Sequence, residues 1–425
     1  MLNPEGLAFV AVDTHREQHT ACVLNCWGHP LATLETSTDP RVFPDFLARV
    51  KESTNGHQLV FGLEDTGGLG RGLAQYLLAG GYKVKEVNPI LVSRQRRRAP
   101  HPNKSDPDDA LAIGKILITE FKRLPDLFPD ELYVALREAV NHRRALVKEQ
   151  TRLKNRLHVL LRELYPSYKA MFPGTFSKSA LAFWERFPTP DALRGYGVKR
   201  LAAFLRAHSR GKVSTRRARK VLELVNKAKT SGTLDKTRAV VVRSIVRQLR
   251  ALSQEQEEAE TLLADLLPRL GMHLETMGGI DLVNASQLLS ALGPVERFSS
   301  SDQIARFLGV APQDSSSGSR RRKRRSKRGH RQGNATLYRI ALYQIGLRRD
   351  GKPKNPVARA YYLKKIAEGK SKGSALTCLM RRLCDILFAM MRDRSCYRTE
   401  KFTALEEPLH VTTWKEPAFE NIPSY

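Results

Sequence analysis

Four acidic residues stand where predicted strands end or a predicted helix begins. Asp13 closes the apolar run LAFVAVD, and Glu64 lies at the end of the apolar run QLVFGLED. Asp106 and Asp109 lie three residues apart in KSDPDDALA, and this spacing lets both point the same way if a helix begins near Pro107. Each acid also has an ordinary structural explanation, because Asp before Pro is a good helix cap and acids suit a first helical turn.

Taken together, the four acids predict a metal centre. Carboxylates at the ends of neighbouring strands, with a helical pair facing them, converge at one edge of a sheet. Four carboxylates close together repel one another strongly and therefore need a cation. Oxygen ligands suit Mg²⁺ or Mn²⁺, and two such ions about 4 Å apart can clamp the attacking and leaving oxygens of a phosphodiester. The acids thus indicate a metal-dependent nuclease or transesterase with an RNase H-like fold.

A second stretch, SSSGSRRRKRRSKRGH at residues 315–330, combines five serines with eight cations and has no carboxylate. The cations predict contacts with nucleic-acid backbone, which give affinity and strong salt dependence but little sequence choice. The ordinary interpretation of SSSGS is a flexible linker, since nothing near it forms a His–Asp relay that would activate a hydroxyl. The predicted backbone-binding cations are Arg320, Arg321, Arg322, Lys323, Arg324, Arg325, Lys327 and Arg328.

Charge and composition narrow the class of protein. The chain has 425 residues, a formal net charge of +29 and a pI near 10.2, so the expected partner is a polyanion. No apolar run approaches the roughly 20 residues that a membrane span needs, and MLNPEGLAFVAVD lacks the features of a secretory signal. The five cysteines are an odd number without zinc spacing, which predicts reduced cysteines in a cytoplasmic protein. With its expected polyanion partner, the protein is expected to be nucleoid-associated in a bacterial or archaeal cell.

The predicted elements that must position the acids alternate between strands and helices over residues 7–125, which is typical of an α/β domain with a mixed sheet. Two long helices follow, at 131–165 and 236–270, with leucines at heptad spacing. They could pair antiparallel in one chain or form the seam of a dimer. Between them, a basic helical subdomain at about 170–235 looks inserted, and TMGGIDLVNASQLLSALG at 276–293 is similar to a helix–hairpin–helix.

The order of these motifs resembles the insertion-sequence-110 type DEDD transposases, the bridge-RNA-guided recombinases related to the pilin-gene invertases. One block consists of VDTH, LEDTGGLG, NPILVSRQRRR and KSDPDDA, with Ser105 where the family has Thr. The other consists of MGGIDLVNASQLLSALGPVERFSSSDQIARFLGVAP, SSSGS, SKRGH, LYRIAL and GSALTCLMRRLCDILF. Two departures are the turn at 277–280 and Val310 in place of Leu.

The resemblance implies roles for single residues. Asp13, Glu64, Asp106 and Asp109 would be the catalytic DEDD acids that hold Mg²⁺ or Mn²⁺, whereas Asp108 falls on a variable position. The serine before Gly and five residues after Pro would be the nucleophile, and here it is Ser317. Ser326 begins the SKRG motif and more simply caps the next helix.

The resemblance also implies an organisation and a function. The expected divisions are a RuvC-like metal domain at 1–125, a coiled-coil region at 126–275, a transposase domain at 276–398 and a tail at 399–425. The expected activity is cutting and rejoining of donor and target DNA through a covalent phosphoserine, guided by a structured noncoding RNA, in a homodimer or homotetramer. The alternatives are a metal-dependent junction nuclease, a site-specific invertase of the same family, and a non-enzymatic packaging protein that would leave the acid set without a reason.

Overall fold

The structure is a computed structural model that describes residues 6–64, 68–97, 105–127, 131–227, 232–317, 320–325 and 329–398, with backbone only at 312–317 and 320–325. The predicted tail at 399–425 lies outside these ranges. The chain divides into two compact units. The first comprises Met1–Gly271 and Leu282–Ser300, and the second comprises Met272–Asp281 and Ser301–Tyr425.

A five-stranded mixed sheet opens the first unit, as the alternating sequence pattern predicts. Its strands are β1 (Leu7–Thr14), β2 (Gln18–Leu24), β3 (Pro30–Ser37), β4 (Gln58–Glu64) and β5 (Lys83–Val87). The spatial order is β3-β2-β1-β4-β5. The β1–β2 and β2–β3 pairs are antiparallel, whereas β1–β4 and β4–β5 are parallel. This topology is consistent with the expected RuvC-like fold.

Helices cover both faces of the sheet. They are α1 (Phe43–Ser53), α2 (Arg71–Ala79), α3 (Pro89–Arg97) and α4 (Asp106–Thr119). A short 3₁₀ turn at Pro40–Val42 precedes α1. Side chains alternate along a strand, so one row of β1 packs with α1 and α2 while the other row, which includes Phe9 and Ala11, packs with α3 and α4. Asp13 continues the second row and therefore points to the α4 face.

Two long helices dominate the middle of the chain, α5 (Glu131–Leu164) and α10 (Thr233–Arg269). Four short helices lie between them, α6 (Tyr168–Met171), α7 (Lys178–Arg186), α8 (Val198–Ala207) and α9 (Thr215–Val225), with a 3₁₀ turn at Pro190–Leu193. They share one apolar core with the ends of α5 and α10, and its largest fully buried side chains include Trp184, Tyr165, Phe183 and Phe187.

The two long helices pair antiparallel within the chain, which is one of the two arrangements that the heptad pattern allows. Arg143 lies 2.7 Å from Glu260, while Gln150 donates to the carbonyl of Leu252 at 3.1 Å. The predicted seam of α10 is buried or half-buried at Ile245, Leu249, Leu252, Gln256, Ala259, Leu263, Leu266 and Leu270. Arg143 and Gln150 interrupt the apolar pattern of α5, and both find polar partners on α10.

The first unit ends with α11 (Leu282–Leu292) and a 3₁₀ turn at Val295–Arg297. The second unit contains the 3₁₀ turn Leu274–Thr276, α12 (Ser301–Phe307), β6 (Pro312–Ser317), β7 (Arg320–Arg325), α13 (Arg331–Ile345), α14 (Pro356–Ala367) and α15 (Lys372–Asp393). The boundary between Asp281 and Leu282 falls inside the segment predicted to be similar to a helix–hairpin–helix, and that assignment stays a prediction.

The first three serines of the stretch, Ser315 to Ser317, lie in a strand instead of a flexible linker. Strands β6 and β7 pair antiparallel, and Ser317 is opposite Arg320 in their register. The backbone ladder accounts for the difference, because a hairpin satisfies N–H and C=O groups that a linker would leave to water. None of the helices in the described ranges has both the length and the apolar character that a membrane span requires.

Candidate metal centre

The sheet places Asp13 beside Glu64. In the parallel β1–β4 pair Val12 is opposite Leu63, so the next residues along both strands are neighbours at their carboxyl ends. The Thr14 hydroxyl donates to the backbone carbonyl of Glu64 at 3.0 Å and holds the two strand ends together. Asp13 is 6 % exposed and Glu64 is half-buried. Adjacent positions on parallel strands point to one face, so both acids lie on the side that α4 covers.

Helix α4 supplies the other two acids. Its N-cap is Ser105, whose hydroxyl accepts from the Asp108 amide at 3.3 Å. The interpretation of Asp106 as the cap is therefore wrong by one residue, because a serine was available before it. Asp106 is the first helical residue and remains exposed, while Asp109 is buried one turn later. Asp108 is exposed and bonded to Ser105, in keeping with its expected place outside the set.

Glycines let α4 lie close against the sheet. A β-carbon at Gly114 would overlap the side chain of Leu24, and one at Gly62 would lie 2.8 Å from the Leu117 side chain. At both positions a larger side chain would require the neighbouring leucine, or α4 itself, to move. The close approach is what brings the acids of α4 to the end of β1.

His15 joins two of the predicted acids. Its Nε2 atom lies 3.1 Å from Asp13 Oδ2 and 3.3 Å from Asp106 Oδ1. The three side chains offer ligand atoms that all lie within 4.8 Å of one another. Sequence reasoning missed His15, although its position two residues after Asp13 in VDTH was a signal. The backbone N–H of His15 donates to His19 Nδ1 at 3.3 Å, which fixes the turn after β1.

Asp109 has a different partner. Nη1 of Arg96 on α3 donates to both of its carboxylate oxygens, at 2.7 and 2.8 Å. The guanidinium therefore neutralises one acid of the set, and Asp109 stands outside the three-residue group of Asp13, His15 and Asp106. Arg96 lies in the NPILVSRQRRR motif, which sequence reasoning had connected with the family without giving Arg96 a role.

Electrostatics makes this end of the sheet receptive to a cation. Burial raises the pKa of the Asp13 carboxyl, the neighbouring charges of Asp109 and Asp106 raise it further, and His15 opposes the shift. A divalent cation would relieve the same repulsion. Oxygen donors from Asp13 and Asp106 with an imidazole nitrogen suit Mn²⁺ well and Mg²⁺ through the oxygens. The donor set therefore fits the expected metal.

Ser317 and the cations belong to the second unit, whereas the acids belong to the first. Ser317 is the last residue of β6, and Arg320 to Arg325 form β7. The side chains of both strands lie outside the described part of the chain, as do Ser326, Lys327 and Arg328.

A mixed sheet in this order, with acids at the ends of two parallel strands and on the facing helix, fits the RuvC-like class of metal-dependent nucleic-acid enzymes. A model of the DEDD transposases of the IS110 type matches residues 10–166, and a model described as transposase of the IS116/IS110/IS902 family matches residues 272–363. The chain therefore belongs to the IS110/IS116 family of insertion-element transposases. Membership implies an enzyme that binds DNA, cuts it and joins it again.

Relatives match over most of the chain. The insertion element IS116 uncharacterized 44.8 kDa protein of Streptomyces clavuligerus is 27% identical, over 92% of this chain and 96% of its own length. The insertion element IS900 uncharacterized 42 kDa protein of Mycobacterium paratuberculosis is 26% identical, over 93% of this chain and 98% of its own. The insertion element IS110 uncharacterized 43.6 kDa protein of Streptomyces coelicolor is 28% identical, over 77% and 80%.

Proposed function

We propose that this transposase cuts and rejoins DNA through a covalent link between Ser317 and a DNA phosphate, with Mg²⁺ or Mn²⁺ held by Asp13, Glu64, Asp106 and Asp109. The observation that carries the proposal is the convergence of Asp13, His15 and Asp106 at one end of a RuvC-like sheet, with Asp109 one turn further along α4. Acids that repel one another at neutral pH are retained for a reason other than stability, and a metal centre is that reason in a DNA-cutting family.

The residues of the centre divide the work. A bound divalent cation would neutralise the charge that builds up on the phosphate oxygens during strand cleavage. Asp13 is the buried anchor of the set, and Asp106 faces solvent, where a DNA phosphate can approach. His15 orients the carboxylates of both. Arg96 holds the Asp109 carboxylate in place through hydrogen bonds from one guanidinium nitrogen to both carboxylate oxygens.

Ser317 would be the nucleophile. In the proposed step its oxygen bonds to the phosphorus, the bond to one deoxyribose oxygen breaks, and the serine proton ends on the oxygen that leaves. Rejoining is the reverse step with the hydroxyl of another strand, so no bond energy is lost to water. Support comes from the place of Ser317 at the end of β6, where a hairpin holds its backbone beside a run of cations.

Partners follow from the same family membership. Arg320 to Arg325, together with Lys327 and Arg328, would bind DNA backbone, and a structured noncoding RNA would choose donor and target sites. Acids and serine lie in different units of the chain. As the family resemblance implies, one protomer of a homodimer or homotetramer would supply the metal and another the serine.

A denaturing gel that detects covalent protein–DNA adduct tests the proposal. The wild-type transposase is expressed with its native flanking DNA and compared with Ser317→Ala and the matched control Ser326→Ala. We expect adduct in the wild type and in Ser326→Ala, and none in Ser317→Ala. Asp106→Asn should remove both adduct and strand cleavage, because it removes one of the metal ligands.

Strand cleavage without adduct in all three proteins would make water the nucleophile. The same metal centre would then belong to a junction nuclease, and the serine would have no role in the chemistry. Loss of adduct in Ser326→Ala alone would move the nucleophile to the SKRG motif.

A further inference from the structure

A basic surface lies on the helical subdomain between α5 and α10. Residues 206–220, from the end of α8 through the connecting loop to the first turns of α9, contain seven cations and no acid. Six of these cations are exposed, namely Arg206, Arg210, Lys212, Arg216, Arg219 and Lys220. Neither matched transposase model covers these residues, since one ends at 166 and the other begins at 272.

The ordinary explanation of exposed cations is a solvated surface balanced by nearby carboxylates, and this surface lacks the balance. Among the described residues, the cations of 206–220 make no ion pair within 4 Å, although Arg194 nearby pairs with Asp191 at 2.8 Å. Arg206 donates to the Thr215 hydroxyl, and the half-buried Arg217 reaches the carbonyl of Ala170. The positive charge of the cations at 206–220 is therefore not compensated by a carboxylate among the described residues.

The charges of α9 also oppose its dipole. A helix favours acids in its first turn and cations in its last turn. In α9 the cations Arg216, Arg217, Arg219 and Lys220 crowd the first six residues, whereas Glu223, the only acid of the helix, lies in the last turn. Selection for stability would produce the reverse order. The arrangement makes sense if an anion sits over this end of the helix, because both the side chains and the dipole attract it.

We infer that residues 206–220 bind the phosphate backbone of duplex DNA, as a contact separate from the metal centre and from the β6–β7 hairpin. The inference rests on the proposed function only in taking DNA as the substrate. Helices α8 and α9 are held by the apolar core that they share with α5 and α10, in which Leu205, Ala218 and Val221 are buried. A basic surface on packed helices can bind phosphates without reading bases.

The test measures DNA binding with the full-length protein in EDTA, so that no strand is cut. Fluorescence anisotropy gives Kd for a duplex of arbitrary sequence over a series of NaCl concentrations. The variant Arg210→Gln/Arg216→Gln/Arg219→Gln should reduce the slope of log K against log salt by about 3, one unit per lost phosphate contact. Its thermal midpoint should stay equal or rise, because two of the changes relieve α9.

The matched control is Arg41→Gln/Arg123→Gln/Arg152→Gln. It removes the same charge from exposed arginines that pair with their own neighbours Asp39, Glu120 and Glu149. We expect the control to keep the wild-type slope. An equal fall in both triples would overturn the inference, because net charge alone would then explain the binding. If the first triple unfolds, Lys212→Gln/Lys220→Gln replaces it, with an expected fall of about 2.

A duplex RNA of the same sequence separates the two nucleic acids. If the variant Arg210→Gln/Arg216→Gln/Arg219→Gln bound duplex RNA more weakly than the wild type but bound duplex DNA equally well, the assignment to DNA would be overturned. Because the assay contains no metal and forms no adduct, its outcome is independent of whether Ser317 is the nucleophile.

Discussion

Asp13 is a carboxyl group in a buried position, where the loss of water disfavours its charged form. Its pKa is raised above the ordinary 3.8, first by burial and then by Asp109 and Asp106. Between the ordinary and the raised pKa, the folded chain holds a proton that the unfolded chain has released. The stabilising contribution of the protonated carboxyl is therefore complete below the ordinary pKa and lost as pH rises through the raised one.

The substitution Asp13→Asn should accordingly stabilise the metal-free protein at neutral pH, since the amide cannot ionise. It should also abolish the stabilisation that Mg²⁺ or Mn²⁺ gives, which in the wild type grows with pH as Asp13 loses its proton. Thermal unfolding in EDTA and in excess metal, from pH 5 to pH 8, measures both effects. The control Asp108→Asn changes an exposed neighbour and should retain the metal response. An Asp13→Asn protein that is less stable than wild type without metal would contradict the electrostatic argument.

At the scale of elements, the position of α4 decides whether the acids meet. Gly114→Ala places a methyl group against Leu24 and Ala11, so α4 must move or the core must rearrange. Overpacking of this kind costs about 1–3 kcal/mol of unfolding free energy. Because α4 carries Asp106 and Asp109, its displacement should also weaken metal binding. Denaturant unfolding and a metal titration check the two consequences.

The matched control is Gly72→Ala in α2. A β-carbon there would meet only the Phe43 ring, at 3.8 Å, which is ordinary contact. Alanine favours a helix over glycine by up to about 1 kcal/mol, so Gly72→Ala should be neutral or stabilising. Equal behaviour of the two variants would show that α4 does not depend on its close approach to the sheet.

At the scale of the whole molecule, the first unit is discontinuous. The chain leaves it after Gly271 and returns at Leu282 with α11, whose buried face includes Leu288, Leu289 and Leu292. Helix α11 packs on α5 and α10, and Arg137 of α5 donates to the carbonyl of Ser290 at 3.4 Å. The first unit is therefore complete only when the sequence to residue 300 is included.

A fragment of residues 1–300 should fold and remain monodisperse, whereas 1–271 should lose several kcal/mol and aggregate. The reason is that three buried leucines contribute about 1.5–3 kcal/mol each, and their partners on α5 and α10 would be left exposed. Size-exclusion chromatography and limited proteolysis distinguish the two fragments. Equal resistance of both to protease would mean that α11 is dispensable to the first unit.

Local patterns in the sequence were sufficient for the mixed sheet, the acids at strand and helix ends, the long helices and their buried faces, and the family. Hydrophobic periodicity and the positions where helices and strands begin or end depend on neighbouring residues, so the sequence alone predicts them. Once LAFVAVD is identified as a strand, the two-residue period of its side chains places Asp13 on the same face as Phe9.

Contacts across elements were decided only by the tertiary structure. A heptad pattern shows which face of α5 is buried but not whether the partner is α10 of the same chain or another copy, because both bury the same leucines. The meeting of His15 with Asp106, and of Arg96 with Asp109, depends on how closely α3 and α4 lie on the sheet. Gly62 and Gly114 allow that close approach by leaving room for side chains far away in the sequence, and no local pattern carries this information.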